Sequence, residues 1–202
     1  MVVYPLRTLA QLSNVDSVIL VVDSNHVGHA QSLVDRYGPW SVAIQVARGG
    51  AERQDSVAAG LALVDARTQL VVVHDAARPF ISLAAAAACV NAAAAHGAAI
   101  VAVPVCDTVK LANDHAITQT LDRQRIWLAQ TPQVFHTTIL REAYAQAGRD
   151  RVVATDEAAL VERLGATVRI VPGEPTNLKI TTPEDLRWAE WYLTTRGVAP
   201  VQ

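Results

Sequence analysis

The chain alternates short, apolar, β-branched runs with longer amphipathic stretches, and does so almost from its start. Residues 5–12 read as a helix, 17–22 (SVILVV) as a strand, 27–37 as a helix and 42–46 as a strand. After a glycine pair, residues 54–63 read as a helix that feeds a strand over 70–73 (LVVV), a run continuous enough to be buried on both faces. The alanine-rich segment 82–96 has high helix propensity, and 99–103 supplies the next strand. This rhythm predicts an α/β fold: a doubly wound, mostly parallel, Rossmann-like sheet with helices on both faces.

The regularity breaks over residues 105–133, where two short strand-like pieces flank an Asn-Asp turn and a polar stretch follows; the segment reads as a β-arm projecting from the sheet. Helices resume over 137–146 and 155–164, with strands near 168–171 and 178–180. The last helix is announced by Thr182 as its cap, Pro183 in its first turn, and Glu184 and Asp185 at its positive end. No repeat or composition shift divides the chain, so residues 1–202 are expected to form a single domain.

Composition narrows the function classes. The hydrophobic content of 51% is inflated by alanine, and no apolar segment approaches the roughly 20 residues that a spanning helix needs, so no membrane association is expected. The N-terminus lacks a charged start followed by an apolar core, which argues against a signal peptide. A net charge of −2, 5% aromatics and no basic run argue against a nucleic-acid surface, though not against one bound nucleotide. Cys89 and Cys106 stand far apart in no metal or redox spacing, which suits reduced thiols in a cytoplasmic protein.

The candidate chemistry collects where strands end. His74 and Asp75 stop the LVVV run abruptly, and Arg78 and a proline follow. In open parallel sheets ligands gather just beyond the carboxyl ends of strands. A carboxylate there can hold a cation or a hydroxyl, and a guanidinium matches phosphate oxygens; an internal Asp–Arg ion pair bracing the loop is the alternative. In GGAERQDSV the two glycines allow a ligand close to the backbone, with Ser56 one turn into the next helix; the alternative is an ordinary turn with Glu52 and Arg53 in water. Lys179 amid strand-like residues needs an anionic partner, or else an edge position in water. Asp107 and Thr108 close another strand, and Arg123, Arg125 and Thr131 punctuate the arm. His26 and His29 lack a third ligand in register, so no protein-borne metal site is expected, and His74 reads as a hydrogen-bonded strut.

Taken in order, GGAERQDSV, VVVHDAARPF, VCDTVK, LDRQRIWLAQTPQVF, ATDEAALVERLG and NLKITTPEDL resemble the 2-C-methyl-D-erythritol 4-phosphate cytidylyltransferases, nucleotidyltransferases of non-mevalonate isoprenoid biosynthesis. The resemblance covers nearly the whole chain. The ribitol-5-phosphate cytidylyltransferases share the HDAARP and TPQ segments; Lys110 after DTV leans towards the methylerythritol enzymes. The resemblance implies transfer of cytidylyl from CTP to a sugar-alcohol phosphate with Mg²⁺ as cofactor. It implies Asp75, Arg78 and Lys179 as catalytic residues, Thr108, Arg123 and Thr131 at the sugar phosphate, and Gly50, Ala51 and Ser56 at the cytidine. It also implies a homodimer formed through the 105–133 arm, with Thr108 and Arg123 serving the partner's pocket.

Members of that family begin with a strand, a glycine-rich loop bearing an arginine and a Pro-Lys-Gln segment, whereas VYPLRTLAQL is similar to the helix that follows these. The expectation is therefore an N-terminally incomplete nucleotidyltransferase domain without the triphosphate cradle. Its turnover should be down by at least about a thousandfold, because each lost transition-state donor costs roughly 3–4 kcal/mol. The rival expectation is a non-catalytic fragment or pseudoenzyme.

Overall fold

Residues 1–196 are described in the computed structural model, and their strands fall into two sheets and a hairpin. Strand β1 (Ser17–Val22) pairs in parallel with β2 (Ala43–Arg48), with Leu20 opposite Val46. Helix α1 (Val3–Leu9) and helix α2 (Val27–Tyr37) close the pair, burying Leu6, Leu20, Ala30 and Val34 together. Helix α3 (Arg53–Ala62) follows β2.

The second sheet has the order β3 (Leu70–Val73), β7 (Trp127–His136), β4 (Ala98–Pro104), β8 (Arg169–Pro172). Strand β7 is antiparallel to both neighbours and β8 is parallel to β4, so three of the four strands share one direction. The mostly parallel α/β class stands. Helix α4 (Leu83–His96) covers one face: Ala86, Cys89 and Ala93 meet Ala99, Val101 and Val134. Small side chains let that helix sit close to the sheet. The opposite face carries α5 (Thr137–Asp150) and α6 (Glu157–Arg163), packing Leu140 and Val161 against Ile100 and Phe135. Helix α7 (Pro183–Thr195) has the cap expected, with the Asp185 amide donating to Thr182 Oγ1 at 3.2 Å. Its Tyr192 lies 4.9 Å from the Phe80 ring, centroid to centroid, and anchors the loop that carries Arg78.

Three expectations are corrected. The first is the extent of the arm. Residues 127–133 belong to β7, in the middle of the sheet, and the projection is confined to residues 105–126. The polar letters of that strand suggested a surface, yet Gln130, Thr131 and Gln133 are all buried. They are tolerated because each is hydrogen-bonded: Gln130 to the Glu174 carbonyl, Thr131 to the Asp75 amide and Gln133 to Asp156. What does project is the hairpin of β5 (Lys110–Asn113) and β6 (Ala116–Thr120), exposed throughout, with Asp114 and His115 at positive φ as a primed turn requires.

The second is that residues 178–180 form no strand; Ile180 donates to the Ala77 carbonyl at 2.8 Å and otherwise follows a loop. The third is β3, where only Val73 is buried and Leu70, Val71 and Val72 are half-buried. Among the described residues nothing pairs with its second edge or with the free edge of β1, and α3 and the segment after α1 help to link the two sheets. Leu12 joins the α4 cluster and Leu61 of α3 packs in the cluster of Val73.

Candidate active site

The loop after β3 is set by His74. Asp75 donates its amide to Thr131 Oγ1 at 3.0 Å, and Thr131 Oγ1 lies 3.1 Å from His74 Nδ1. His74 Nε2 lies 3.0 Å from the Arg78 carbonyl. One assignment satisfies the chain: Thr131 donates to Nδ1, and Nε2–H donates to the carbonyl, so the imidazole is neutral. Burial pushes its pKa below the usual value, against smaller opposing effects of the Arg78 carbonyl and Asp75. His74 is therefore a strut, as expected, and the Thr131 hydroxyl is engaged on both sides.

The sign of the pH effect follows. The unfolded imidazole takes its proton as pH falls through about 6.5, while the folded one stays neutral. Stability is thus fully present above about pH 6.5 and declines from there down through the folded value. Urea unfolding between pH 8 and 5.5 is expected to show this decline, and His74→Gln, which keeps a donor for the carbonyl, should flatten it. An equal slope in both proteins would contradict the assignment.

Beyond this brace lies a cavity of about 190 Å³ lined by Arg53, Asp75, Arg78, Thr131, Asp156 and Lys179, among others. Asp75 is its hub. Oδ1 accepts from Arg53 Nε at 3.1 Å and Oδ2 from Lys179 Nζ at 2.9 Å. Burial would raise the Asp75 carboxyl, but Lys179 and Arg53 outweigh it and hold its pKa below the usual range. Arg78 is held differently: Nη1 donates to the Asn177 carbonyl at 2.8 Å and Nη2 to that of Ala129 at 3.3 Å. Its Nε is buried with no hydrogen bond and lies 4.0 Å from Asp75 Oδ2. Burial pushes this guanidinium below its ordinary value, an effect Asp75 opposes and Arg53 adds to. Carbonyls fix its position without neutralising it, and the one nearby carboxylate is shared with two other cations. Three cations (Arg53, Arg78, Lys179) and two carboxylates (Asp75, Asp156) line the cavity and Glu157 engages Arg53, so the formal charges balance; Arg78, with no carboxylate at hydrogen-bond distance, is the fixed cation suited to an anion.

The predicted site residues do not all meet here. Asp75, Arg78, Thr131 and Lys179 line the cavity; Thr108 and Arg123 do not. Both sit on the exposed arm, where Arg123 Nη1 donates to the Cys106 carbonyl at 2.7 Å. Gly50, Ala51 and Ser56 lie at the start of α3, also outside the cavity lining. There the Gly50 amide donates to Ser56 Oγ at 3.2 Å, and the Glu52 amide to Asp55 at 3.2 Å. A Cβ on Gly49 would lie 2.5 Å from Ser56 Oγ, and one on Gly50 would collide with Asp55, so the turn accepts only glycine at both.

The sequence offered for Arg53 only the alternative of an ordinary turn with its side chain in water, and the structure places it otherwise. Its fork meets both oxygens of Glu157, at 2.8 and 2.9 Å, and Tyr144 donates to Glu157 at 3.0 Å. Glu157 is 1% exposed. The available signal was a carboxylate at the start of the 155–164 helix pattern with no cation at helical spacing before it. No group of three or more His, Cys, Asp or Glu side chains able to hold a metal ion occurs among the described residues. No described helix is long and apolar enough to cross a membrane.

The family model described as 2-C-methyl-D-erythritol 4-phosphate cytidylyltransferase, IspD, matches residues 1–195. The chain belongs to the IspD family. It is 45% identical to the Syntrophus aciditrophicus protein of that name over 95% of this chain and 82% of the relative. Identity to the Pelotomaculum thermopropionicum protein is 47%, over 95% of this chain and 81% of the relative. The crystal structure of 4-diphosphocytidyl-2C-methyl-D-erythritol synthase from Anaerococcus prevotii superimposes with a TM-score of 0.88 at 30% identity, covering 96% of this chain and 85% of that one. IspD membership accounts for the six motifs in register, and the α/β fold described above is shared with the solved relative.

Proposed function

We propose that this chain transfers the cytidylyl group of CTP to 2-C-methyl-D-erythritol 4-phosphate. An oxygen of the acceptor's phosphate forms a bond to the α-phosphorus of CTP as the bond from that phosphorus to the β-phosphate bridging oxygen breaks. The products are 4-diphosphocytidyl-2-C-methyl-D-erythritol and pyrophosphate. The observation that carries the reading is the pair of cations fixed at the cavity, Arg78 held by carbonyls and Lys179 held by Asp75. Its 190 Å³ falls below the roughly 300–1,000 Å³ of pockets for larger ligands, which suits the small acceptor rather than a triphosphate. The reaction joins two anions, so positioning and neutralisation lower its barrier, and no nucleophilic side chain is required.

The start of α3 is read as the cytidine side, through the backbone at Gly50 and Ala51 and the Ser56 hydroxyl. Gly50→Ala is expected to raise the KM for CTP on the order of tenfold and that for the acceptor less, since the displaced turn meets the nucleotide directly and reaches the acceptor only through Arg53. Steady-state kinetics with each substrate varied checks this. Mg²⁺ is read as arriving with CTP, bound to the triphosphate oxygens. The exposed hairpin, with Leu111 and Ile117 in water, supports a homodimer in which the arm brings Thr108 and Arg123 to the partner's cavity. The free thiols of Cys89 and Cys106 suit a reducing cytoplasm.

A pyrophosphate-release assay tests the reading. Release is expected only when CTP, Mg²⁺ and methylerythritol phosphate are all present. Release with ribitol 5-phosphate in its place would move the substrate assignment to the sister family, and release with neither acceptor would sink it.

A further inference from the structure

Arg53 does more than close an ion pair. Its guanidinium has two edges, and the structure uses both. The fork formed by Nη1 and Nη2 grips Glu157 at 2.8 and 2.9 Å, while Nε points the other way to Asp75 Oδ1 at 3.1 Å. Glu157 cannot drift, because it is buried at the start of α6 and Tyr144 of α5 donates to the same Oε1 at 3.0 Å. The next residue reinforces the anchor: Gln54 donates to the Val152 carbonyl at 3.1 Å and accepts from the Ala154 amide at 2.9 Å. The first turn of α3 is thus clamped to the segment between α5 and α6. With Oδ1 taken by Arg53, Oδ2 is the oxygen left for Lys179, at 2.9 Å. A lysine at position 53 would carry the charge but could not hold both carboxylates at once.

We infer that Arg53 is a positioning residue for the acceptor: anchored on Glu157, it orients Asp75 so that Asp75 in turn holds the Lys179 ammonium at the cavity. The inference rests on the acceptor-site reading above and adds a residue that acts through two others. If it is right, the contribution of Arg53 to acceptor binding passes through Lys179 and vanishes when Lys179 is gone. A residue that merely stabilised the fold would contribute independently of Lys179.

The experiment is a double-mutant cycle of Arg53→Gln, Lys179→Ala and the double variant in the full chain. The dissociation constant of 2-C-methyl-D-erythritol 4-phosphate is measured by calorimetry, and KM and kcat by pyrophosphate release. Arg53→Gln is expected to weaken the acceptor on the order of tenfold, to leave the KM for CTP unchanged, and to have no further effect in the Lys179→Ala background. Effects that multiply, or an equal loss for CTP, overturn the inference. If Lys179→Ala leaves acceptor binding intact, the acceptor-site reading itself fails, so the two failures are distinguishable. Arg53→Lys should not restore binding.

Should Arg53→Gln fail to fold by its melting curve, Tyr144→Phe carries the test. It removes one hydroxyl outside the cavity and should give a smaller loss of the same pattern, selective for the acceptor and absent without Lys179. A further readout needs no turnover. The chain has only two lysines, Lys110 on the arm and Lys179, so lysine-labelled protein gives two side-chain signals. Arg53→Gln should move the Lys179 signal and leave that of Lys110 in place; an unmoved Lys179 signal overturns the inference.

Discussion

Lys179→Ala is expected to lower kcat/KM for 2-C-methyl-D-erythritol 4-phosphate by about 100- to 1,000-fold, the range for losing one fixed donor at developing or transferred negative charge. The KM for CTP should change little. The reasoning is geometric. Arg78 has spent hydrogen bonds on the Asn177 and Ala129 carbonyls, and Arg53 has spent its fork on Glu157. Lys179, whose side chain is 40% exposed, is the cation with the most freedom to meet a phosphate oxygen. Removing it also turns Asp75 from a support into a problem, since its carboxylate then faces the incoming anion with one fewer cation beside it. The pH profile should shift as well. The carboxyl of Asp75 is held below its usual value, so the acid fall-off in acceptor binding lies below the ordinary carboxylate range. Without Lys179 one of the contacts that lowers it is gone, so Asp75 takes its proton at higher pH, and that proton now relieves repulsion of the acceptor instead of releasing a cation, so the acid fall-off is lost. Equal losses for both substrates, or an acid limb still present, would contradict the assignment.

Glu157→Ala is the substitution expected to cost the most stability. Breaking a buried pair by removing one partner costs about 3–5 kcal/mol, because the other charge is left without compensation. Arg53 keeps Asp75 at 3.1 Å and is one-third exposed, so that carboxylate and water relieve part of the penalty and the lower end applies, about 3 kcal/mol. For a chain of this size the midpoint should fall by roughly 6–12 °C in a thermal melt. Glu157→Gln, which preserves volume and one acceptor for Tyr144, should lose about half as much. Burial, and then the neighbouring Glu157 charge, push the Tyr144 phenol upward, so it remains a neutral donor across the working pH range. A midpoint unchanged in Glu157→Ala would mean that the Arg53 clamp contributes nothing net.

Which parts were legible in the sequence follows from how each is encoded. Local signals carried the helices well: the pattern over 27–37 and the cap at Thr182 match α2 and α7 because period and capping chemistry depend on neighbours in the chain. The LVVV run marked β3, and the residues just after it proved to be the floor of the cavity. The LAQTPQVF segment was illegible for the opposite reason. Its polar side chains are buried by partners 20 to 60 positions away, such as Gln133 with Asp156 and Thr131 with His74, and no window along the chain shows those partners. Arg53 shares that difficulty, since its two carboxylates lie 22 and 104 residues away.

The sequence by itself determined the α/β alternation, the family, and two of the cavity's cations, Arg78 and Lys179, because periodicity and ordered motifs are properties of the linear chain. Tertiary structure alone decided that β7 runs through the middle of its sheet and that β1 and β3 lie in separate sheets. It also decided that Asp75 is divided between Arg53 and Lys179. These are outcomes of competition among distant groups for few buried partners, and a buried carboxylate goes to whichever cations the packed backbone brings within reach.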